Sequence, residues 1–421
     1  MSAGQSLLIE NIGVLCTMQP GMPDARGMLG AVEDASLLID QGRVVFAGSQ
    51  RKAPTVAAKV ARLDAEGCAV LPGLVDCHTH LVFAGSRVGD YVLRSQGKSY
   101  KDILEAGGGI YSTVQATRKA SDEELYELGR ERLDAMLRRG VTTIEAKSGY
   151  GLRLNDEQRI LEIYKRLSDA HAIDIEPTFL GAHVVAPEAA NEESYVREIV
   201  DDMIPRIASL KLAKHCDVFV EPQAFSLSSA RRIGLKAFAH GLAVRFHGEQ
   251  LSHTGATRLA AEIGALSVSH LEYATDSDIA AMAEKNVVAE MLPIAELYLG
   301  NKTHVSARRF IDAGVRVALA TDFNPGSAMC GDIWLAARLG VATAGLTAEE
   351  AMLGITKHAA AALGRSDIGH LGVGALGDAI VLSGANPFDA LYDWSKNPVR
   401  HVVKYGLYSE SGRPGVKPEN M

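Results

Sequence analysis

The stretch LPGLVDCHTH, from Leu71 to His80, joins a short apolar run to an aspartate and two histidines. Side chains two residues apart on a strand point to the same face, so Asp76, His78 and His80 share one direction. A lone histidine is usually a surface residue or a hydrogen-bonded core residue. Two imidazoles that end a buried strand are equally well explained as half of a metal site. The other strand ends decide between these two interpretations.

Outward from this stretch, apolar strand-like runs recur through the central part of the chain, usually with helical stretches between them. The eight runs are AVLPGLVDCHTH, GVTTIEAKSGYG, IDIEPTFLGAH, CDVFVEP, LAVRFHGEQ, ALSVSHLEY, NVVAEMLP and GVRVALATDFNPG. Such runs, near-continuous in apolar character and alternating with helices over roughly 290 residues, predict a (β/α)8 TIM barrel. An open, doubly wound sheet is the alternative, because counting strands does not prove closure.

The two chain ends differ from this central block. Both contain short strand-like runs separated by glycine, proline and polar turns, and neither is long enough to bury a thick core alone. We therefore predict that residues 1–71 and 365–421 form one small β-sandwich domain beside a catalytic barrel of residues 72–364. GVGALG, from Gly372 to Gly377, has dinucleotide-loop spacing, but a strand follows it where that motif needs a helix, which indicates a turn.

The composition is that of a globular protein, with 47% hydrophobic and 22% charged residues among 421. The net charge of -8, with no lysine- or arginine-rich block, argues against a nucleic-acid or anionic-membrane surface. Five scattered cysteines without a CxxC pair are typical of free thiols in a reducing compartment. The sequence shows neither a signal-peptide pattern nor a long apolar run, so we expect a soluble cytoplasmic protein.

Residue types that carry chemistry fall at the ends of the strand-like runs. Beyond the first run they are Tyr150, His183, Glu221, His247, His270 and Asp322. In a parallel barrel these points meet on the C-terminal rim, where active sites of this fold are built. Burying several imidazoles and a carboxylate around one mouth is costly without an ion or a function that satisfies them. The distribution therefore favours the metal interpretation of the first histidine pair.

His78, His80, His247 and Asp322 offer three nitrogens and one oxygen. This set suits a catalytic zinc or iron ion and does not distinguish between the two metals. Arg245 shares the inward face of His247, so the assignment requires either a bulge or a partner for the arginine lower in the barrel.

Several motifs, taken together, resemble known enzymes. PGLVDCHTH on the first strand, histidines that close the fifth and sixth strands, and TDFNPG at the eighth resemble the amidohydrolase superfamily, over nearly the whole chain. CHTHLVFAGSR, EAKSGYGL, FLGAHVVAPE and ATDFNPGSA resemble, more narrowly, the imidazolonepropionase family of histidine degradation. Members of that family hydrolyse the cyclic amide of 4-imidazolone-5-propanoate to N-formimidoyl-L-glutamate.

The resemblance implies the residues that bind the substrate and the metal. It assigns one zinc or iron ion per subunit to the four ligands named above, and it implies a homodimer. The substrate-contacting positions are Arg87, Tyr150, His183, Gln250, Asn324, Gly326 and Ser327. The chemistry of Arg87 agrees, because a guanidinium binds a carboxylate such as the propanoate bidentately.

Asp322 and His270 are the implied catalytic residues. In the corresponding hypothesis a metal-activated water attacks the ring carbonyl, and Asp322 carries the water's proton to the leaving ring nitrogen. His270 and the metal stabilise the developing negative charge.

The nearest alternative is a deaminase of a purine, pyrimidine or related heterocycle. Such deaminases often carry H-x-x-E on the fifth strand, whereas HGEQ places Gln250 there, and an amide cannot relay a proton. Glu249 is a possible substitute, although strand alternation points it to the other face. Glu221 is a possible ligand of a second ion, although we expect one ion and a structural role. A non-catalytic assembly protein, the third alternative, is expected to have lost some of these residues.

EAGGGIYSTV, from Glu105 to Val114, places glycines 107–109 before a helix-like run. This segment is predicted either as a lid or anion-binding helix start over the barrel mouth, or as a flexible connector. Tyr100, just upstream, is a weaker candidate for the same lid.

Overall fold

The computed structural model describes residues 6–98, 102–103, 106–300 and 304–408, which form two sheets with helices packed around one of them. Tyr100 and Glu105 lie outside the described residues. Among the described residues, no helix is both long and apolar enough to cross a membrane.

The strands alternate with helices mainly in the central part of the chain. The strands are β1 (Leu7–Cys16), β2 (Ala31–Asp40), β3 (Arg43–Ser49), β4 (Ala61–Asp64), β5 (Ala69–Pro72), β6 (Leu74–Asp76), β7 (Val141–Lys147), β8 (Asp174–Ala182), β9 (His215–Val220), β10 (Ala243–Gly248), β11 (Ser267–His270), β12 (Val288–Met291), β13 (Val317–Leu319), β14 (Ala379–Leu382) and β15 (Val399–Val403). The helices are α1 (Val88–Ser95), α2 (Ile110–Lys119), α3 (Asp122–Leu137), α4 (Leu154–Ala170), α5 (Glu192–Glu198), α6 (Ile204–Ser209), α7 (Leu227–Ala239), α8 (Ala256–Ile263), α9 (Asp276–Lys285), α10 (Pro293–Leu299), α11 (Ala307–Asp312), α12 (Ile333–Thr343), α13 (Ala348–Gly354), α14 (Lys357–Ala362) and α15 (Asp389–Tyr392). A π-helical turn, Ile199–Met203, joins α5 to α6.

Strands β6 to β13 form one parallel sheet in chain order. The residues that follow its two outer strands pair with each other. Asp322 N donates to His78 O at 3.0 Å, and His80 N donates to Phe323 O at 2.9 Å. These bonds join the last strand to the first, so the TIM barrel is confirmed and the open-sheet alternative is wrong. They also bring three of the predicted metal ligands side by side.

The first strand-like run does not form a single strand. Its first half, β5, pairs with β1 and β14 in the second sheet, and its second half, β6, pairs with β7 in the barrel. The switch occurs at Gly73, whose N–H donates to Asp378 O at 2.9 Å, while the next N–H, of Leu74, donates to Gly140 O at 2.9 Å. The backbone before Gly73 therefore pairs with the second sheet, and the backbone after it pairs with the barrel.

The second sheet combines strands from both chain ends. Its order is β15-β14-β5-β1-β2-β3, with β4 paired to β1. Its buried residues, among them Leu7, Leu37, Val70 and Val381, form a core separate from that of the barrel. The predicted association of the two chain ends is confirmed. The exact domain limits at 71/72 and 364/365 stay a prediction.

Candidate active site

A cavity of about 540 Å³ opens at the C-terminal ends of the barrel strands. Most of the residues predicted from the sequence line it together. They are His80, Arg87, Tyr150, His183, His247, Gln250, His270, Asp322, Asn324, Gly326 and Ser327. His78 is fully buried beside them. Arg94, Lys98 and Gln223, which the sequence did not single out, also line the cavity.

The predicted metal ligands lie close together. Asp322 Oδ1 is 3.4 Å from His78 Nε2 and 3.5 Å from His80 Nε2. Potential ligand atoms fall into two groups that share His78, one with His80 and Asp322 and one with His247 and His270, and within each group all atoms lie within 4.8 Å. The structure thus brings five candidate ligands into two overlapping groups that meet at His78.

Two of the inward-facing nitrogens lack a hydrogen-bond partner. His78 Nε2 and His247 Nε2 are both buried and unpaired among the described residues. Native proteins leave few buried polar atoms unpaired, because each one costs free energy. Unpaired imidazole nitrogens beside a carboxylate are the donor set of a catalytic zinc or iron site, so the residues fit such an ion.

The opposite nitrogens of the same two rings are held firmly. His247 Nδ1 is 3.0 Å from Asp217 Oδ1. His78 Nδ1 is 2.9 Å from Ser269 Oγ, which donates to Glu290 Oε2 at 2.7 Å. Such contacts fix the tautomer and the orientation of a ligating histidine. They therefore leave Nε2 of each ring on the side that faces the other candidate ligands.

Below these rings lies a cluster of five buried charged residues, Glu145, Lys147, Asp217, Arg245 and Glu290, which we call the charge cluster. Lys147 Nζ lies 2.8 Å from both Glu145 Oε1 and Asp217 Oδ2. Arg245 contacts Glu290 and lies 3.5 Å from Glu145 Oε1. Each of the five side chains is 0% exposed. Arg245 thus has the partner lower in the barrel that its inward direction required.

Sequence reasoning missed most of this cluster. Its members alternate with apolar residues along β7, β9, β10 and β12 and share the inward parity of the histidines. Charged residues at inward-facing positions of otherwise apolar strands are the sequence feature that could have predicted this cluster. Which charge pairs with which depends on contacts across the barrel interior, since Arg245 on β10 contacts Glu290 on β12 and Lys147 on β7 contacts Asp217 on β9.

Burial decides the protonation of the rim histidines. It lowers the pKa of His247 to about 4 and that of His270 well below the usual range. Both rings are therefore neutral at pH 7 and keep a free lone pair. Burial opposes ionisation of Asp322, but the contacts with His78 and His80 hold the pKa of that carboxyl well below its usual range. An anionic Asp322 carboxylate and the neutral rings of His247 and His270 meet at the site, whereas contacts with Asp322 and Glu290 outweigh burial and raise the pKa of His78.

The backbone of the rim is strained at two of these residues. Asp322 and His270 have φ values of 52° and 81°, in the left-handed region that side chains other than glycine rarely adopt. Strain of this kind concentrates at functional sites, where surrounding structure compensates for it. Here it turns both side chains into the cavity mouth.

The residues around TDFNPGS form a turn built onto Asp322. Asn324 Oδ1 accepts from the N–H groups of Gly326 and Ser327, both at 2.8 Å, and Asn324 Nδ2 donates to Asp322 O at 2.7 Å. Ser327 Oγ donates to Asp322 Oδ2 at 3.5 Å. The Asn324 side chain closes this turn and thereby fixes its polar groups at the cavity edge.

His183 and Tyr150 form another part of the cavity wall. The His183 ring stacks on His80 with centroids 5.1 Å apart, and its Nδ1 lies 3.0 Å from Gly149 O. Burial raises the pKa of Tyr150, so it is a neutral hydroxyl donor in the cavity.

The two glutamates whose roles the sequence left open are both bonded to loops. Glu221 accepts from Gln250 N at 2.9 Å and from Ser252 Oγ at 2.7 Å, which fixes the loop after β10. Glu249 accepts hydrogen bonds from the backbone N–H groups of Thr254, Gly255 and Thr257 at the start of α8. These contacts favour a structural role for both, and Gln250 is the member of the HGEQ motif that lines the cavity.

Comparison with known proteins agrees with this geometry. The sequence profile of the amidohydrolase family matches residues 69–408. An imidazolonepropionase from Sphingopyxis alaskensis is 43% identical over 380 residues, which cover 90% of this chain and 93% of that protein. An imidazolonepropionase from Geobacillus kaustophilus is 43% identical over 384 residues, which cover 90% of both chains.

Solved structures with the same fold are more distant in sequence. A triazine hydrolase from Arthrobacter aurescens has a TM-score of 0.72 at 18% identity and covers 97% of this chain and 96% of its own. An adenosine deaminase from Xanthomonas campestris with bound zinc has a TM-score of 0.70 at 19% identity and covers 96% and 92%. At such low identities the likeness shows the fold alone.

Proposed function

This chain belongs to the amidohydrolase family, within it to the imidazolonepropionases, and on that premise we propose that these site residues hydrolyse the cyclic amide of 4-imidazolone-5-propanoate. The reaction is a step of histidine degradation, and its product is N-formimidoyl-L-glutamate. The observation that carries the residue assignment is the pair of unpaired Nε2 atoms of His78 and His247 beside Asp322, in a cavity that also holds Arg87.

We infer that His78, His80, His247 and Asp322 hold one zinc or iron ion. A metal ion held there would act as a Lewis acid toward water and the ring carbonyl. The unpaired histidine nitrogens and the low pKa of Asp322 support this ligand set. His270 lies within the same group of atoms, but we assign it to the substrate side.

Asp322 is the proposed proton carrier. Its carboxylate takes one proton from the attacking water as the water oxygen bonds to the ring carbonyl carbon. The ring C–N bond then breaks, and Asp322 returns the proton to the departing nitrogen. His270, neutral because it is buried, donates a hydrogen bond to the carbonyl oxygen while negative charge develops there.

Arg87 and the turn at Asn324 are proposed to hold the two ends of the ligand. Arg87 suits the propanoate carboxylate, and its side chain is only 10% exposed. The Ser327 hydroxyl and the amide groups around Gly326 lie beside Asp322, where hydrolysis creates the second carboxylate of the product. Tyr150 and His183 would bind the ring between them.

The experiment offers the purified chain freshly prepared 4-imidazolone-5-propanoate and a panel of aminated heterocycles. Ring opening is followed by the loss of ultraviolet absorbance, and ammonia release is measured separately. We expect ring opening without ammonia. Ammonia release from a heterocycle, with no opening of the imidazolone, would replace this proposal with the deaminase, which Gln250 argues against because an amide does not relay protons.

A further inference from the structure

Asp90 lies between the substrate-facing arginine and the glycine-rich segment. It is on the first turn of α1, and its side chain is 9% exposed. Its Oδ2 accepts from Arg87 Nε at 2.5 Å and from the backbone N–H of Gly109 at 3.0 Å. A single carboxylate oxygen therefore ties the arginine to a segment about 20 residues further along the chain.

The glycine-rich segment is shaped around this carboxylate. A Cβ added at Gly108 would lie 2.3 Å from Asp90 Oδ1, so a larger residue there would push the carboxylate away. Gly109 precedes α2 with φ 84° and ψ -177°, a combination that is essentially restricted to glycine. Ile110, the next residue, lines the cavity. The segment is thus a turn with a defined partner at the cavity edge, which the flexible-connector interpretation does not explain.

Arg87 is held from two sides. Asp90 engages Nε, and the guanidinium packs against Gly326 so closely that an added Cβ there would lie 2.9 Å from Nη1. Gly326 belongs to the turn built onto Asp322. Nε pairing leaves the terminal nitrogens as the fork that binds a carboxylate bidentately. An arginine that is already oriented loses less rotamer freedom when a ligand binds.

We propose that Asp90 is a positioning residue that fixes Arg87 for the ligand carboxylate and couples this arginine to the glycine turn at residues 107–109. The inference rests on the proposed function, because it gives Arg87 the propanoate carboxylate as its ligand. Asp90 itself does not touch the reacting atoms. Its loss is therefore expected to weaken substrate binding more than the chemical step.

The kinetic test compares Asp90→Asn with the wild type on two substrates, the propanoate and its uncharged propanamide analogue. For the propanoate we expect KM to rise about tenfold, with kcat within about twofold, because a charged hydrogen bond is replaced by a neutral one. For the propanamide the two proteins should have similar KM values, because this analogue has no carboxylate for the Arg87 guanidinium to bind. An equal rise in KM for both substrates would indicate a general structural role and overturn the proposal. An unchanged KM for the propanoate would also overturn it.

Two further variants keep this test decisive. Asp169→Asn removes an exposed helix carboxylate that pairs with Lys165 at 2.7 Å, and it should change neither parameter. Gly108→Ala keeps the Asp90 carboxylate but displaces it, and it should raise the KM for the propanoate, as Asp90→Asn does. If Asp90→Asn does not fold, the glycine variant carries the test, and an unchanged KM in it overturns the coupling.

A binding measurement separates this inference from the proposed function. Titration calorimetry with glutarate, a plain dicarboxylate, reports on the arginine without turnover. We expect Asp90→Asn to bind glutarate about tenfold more weakly than the wild type. If the wild type opens no imidazolone ring but this difference appears, the proposed function fails and the positioning role survives. Equal glutarate affinities in the two proteins would overturn the positioning role alone.

Discussion

The rim of the barrel and the charge cluster just below it are both rich in buried ionisable groups, but they differ in how those groups are paired. In the charge cluster each charge lies within 3.5 Å of an opposite charge. At the rim, Nε2 of His78 and of His247 has no hydrogen-bond partner among the described residues. Burial alone does not mark a functional site. The rim is marked by imidazole nitrogens that lack a hydrogen-bond partner and lie beside a carboxylate at the cavity mouth.

The two layers also have different tasks. The charge cluster supplies Asp217 and Glu290, which hold the far sides of the two histidine rings. Changes in the rim should therefore remove activity and leave the fold intact. Changes in the cluster should act first on stability and on metal affinity.

The largest effect is expected at the rim. Asp322→Ala should reduce ring opening about 1,000-fold or more, because the proton carrier is lost. The fold should remain, which circular dichroism checks. Substantial turnover by this variant, once it is shown to be folded and loaded with metal, would end the assignment of Asp322 as proton carrier.

In the charge cluster, Lys147→Met should lower the free energy of unfolding by about 3–5 kcal/mol, because it leaves two buried carboxylates without their cation. Lys165→Met is a matched control, since Lys165 pairs with Asp169 at 2.7 Å but both side chains are about two-thirds exposed. The control should change stability by less than about 1 kcal/mol. Urea unfolding measures both, and equal effects would show that burial does not separate the two ion pairs.

Between the two layers, Asp217→Asn should weaken metal binding by about 10- to 100-fold, because it changes the group that orients His247. Competition with a chelator measures this affinity. Asp134→Asn, which alters the aspartate 3.3 Å from His171 outside the barrel interior, is the control and should have no such effect. Unchanged metal affinity in Asp217→Asn would mean that the charge cluster does not support the rim.

The smallest expected effect concerns pH. Burial lowers the pKa of His215, at the start of β9, from 6.5 to about 4. The unfolded chain therefore binds a proton that the folded chain does not, and stability is lost as the pH falls through this window. His215→Gln should remove about 2 kcal/mol of the stability difference between pH 7 and pH 5. Identical pH dependence of urea unfolding in the two proteins would contradict the buried, neutral state of this ring.

The outcome for individual residues shows what the sequence can and cannot reveal. His247 and Asp322 were predicted because strand order alone brings all the C-terminal strand ends to one rim. The pairing of Lys147 with Asp217 was not, because these residues lie on β7 and β9, which β8 separates, and their contact forms across the barrel interior. The division of the first run at Gly73 was not predicted either. Apolar pattern does not tell which of two sheets a strand joins.

Asp90 illustrates a further limit. Its spacing from Arg87 is an ordinary helix-start pattern, and the glycines that contact it lie on a separate segment. Only the folded chain shows that one Asp90 oxygen accepts hydrogen bonds from both Arg87 and Gly109.

The most direct measurement is the metal content of the active chain, by mass spectrometry, together with X-ray absorption at the metal edge. We expect one zinc or iron ion per chain with nitrogen and oxygen neighbours and no sulfur. The ion should be lost in His247→Ala while the fold is kept. Full activity in a metal-free chain, or two ions per active chain, would contradict the central claim that the unpaired rim histidines and Asp322 hold a single catalytic ion.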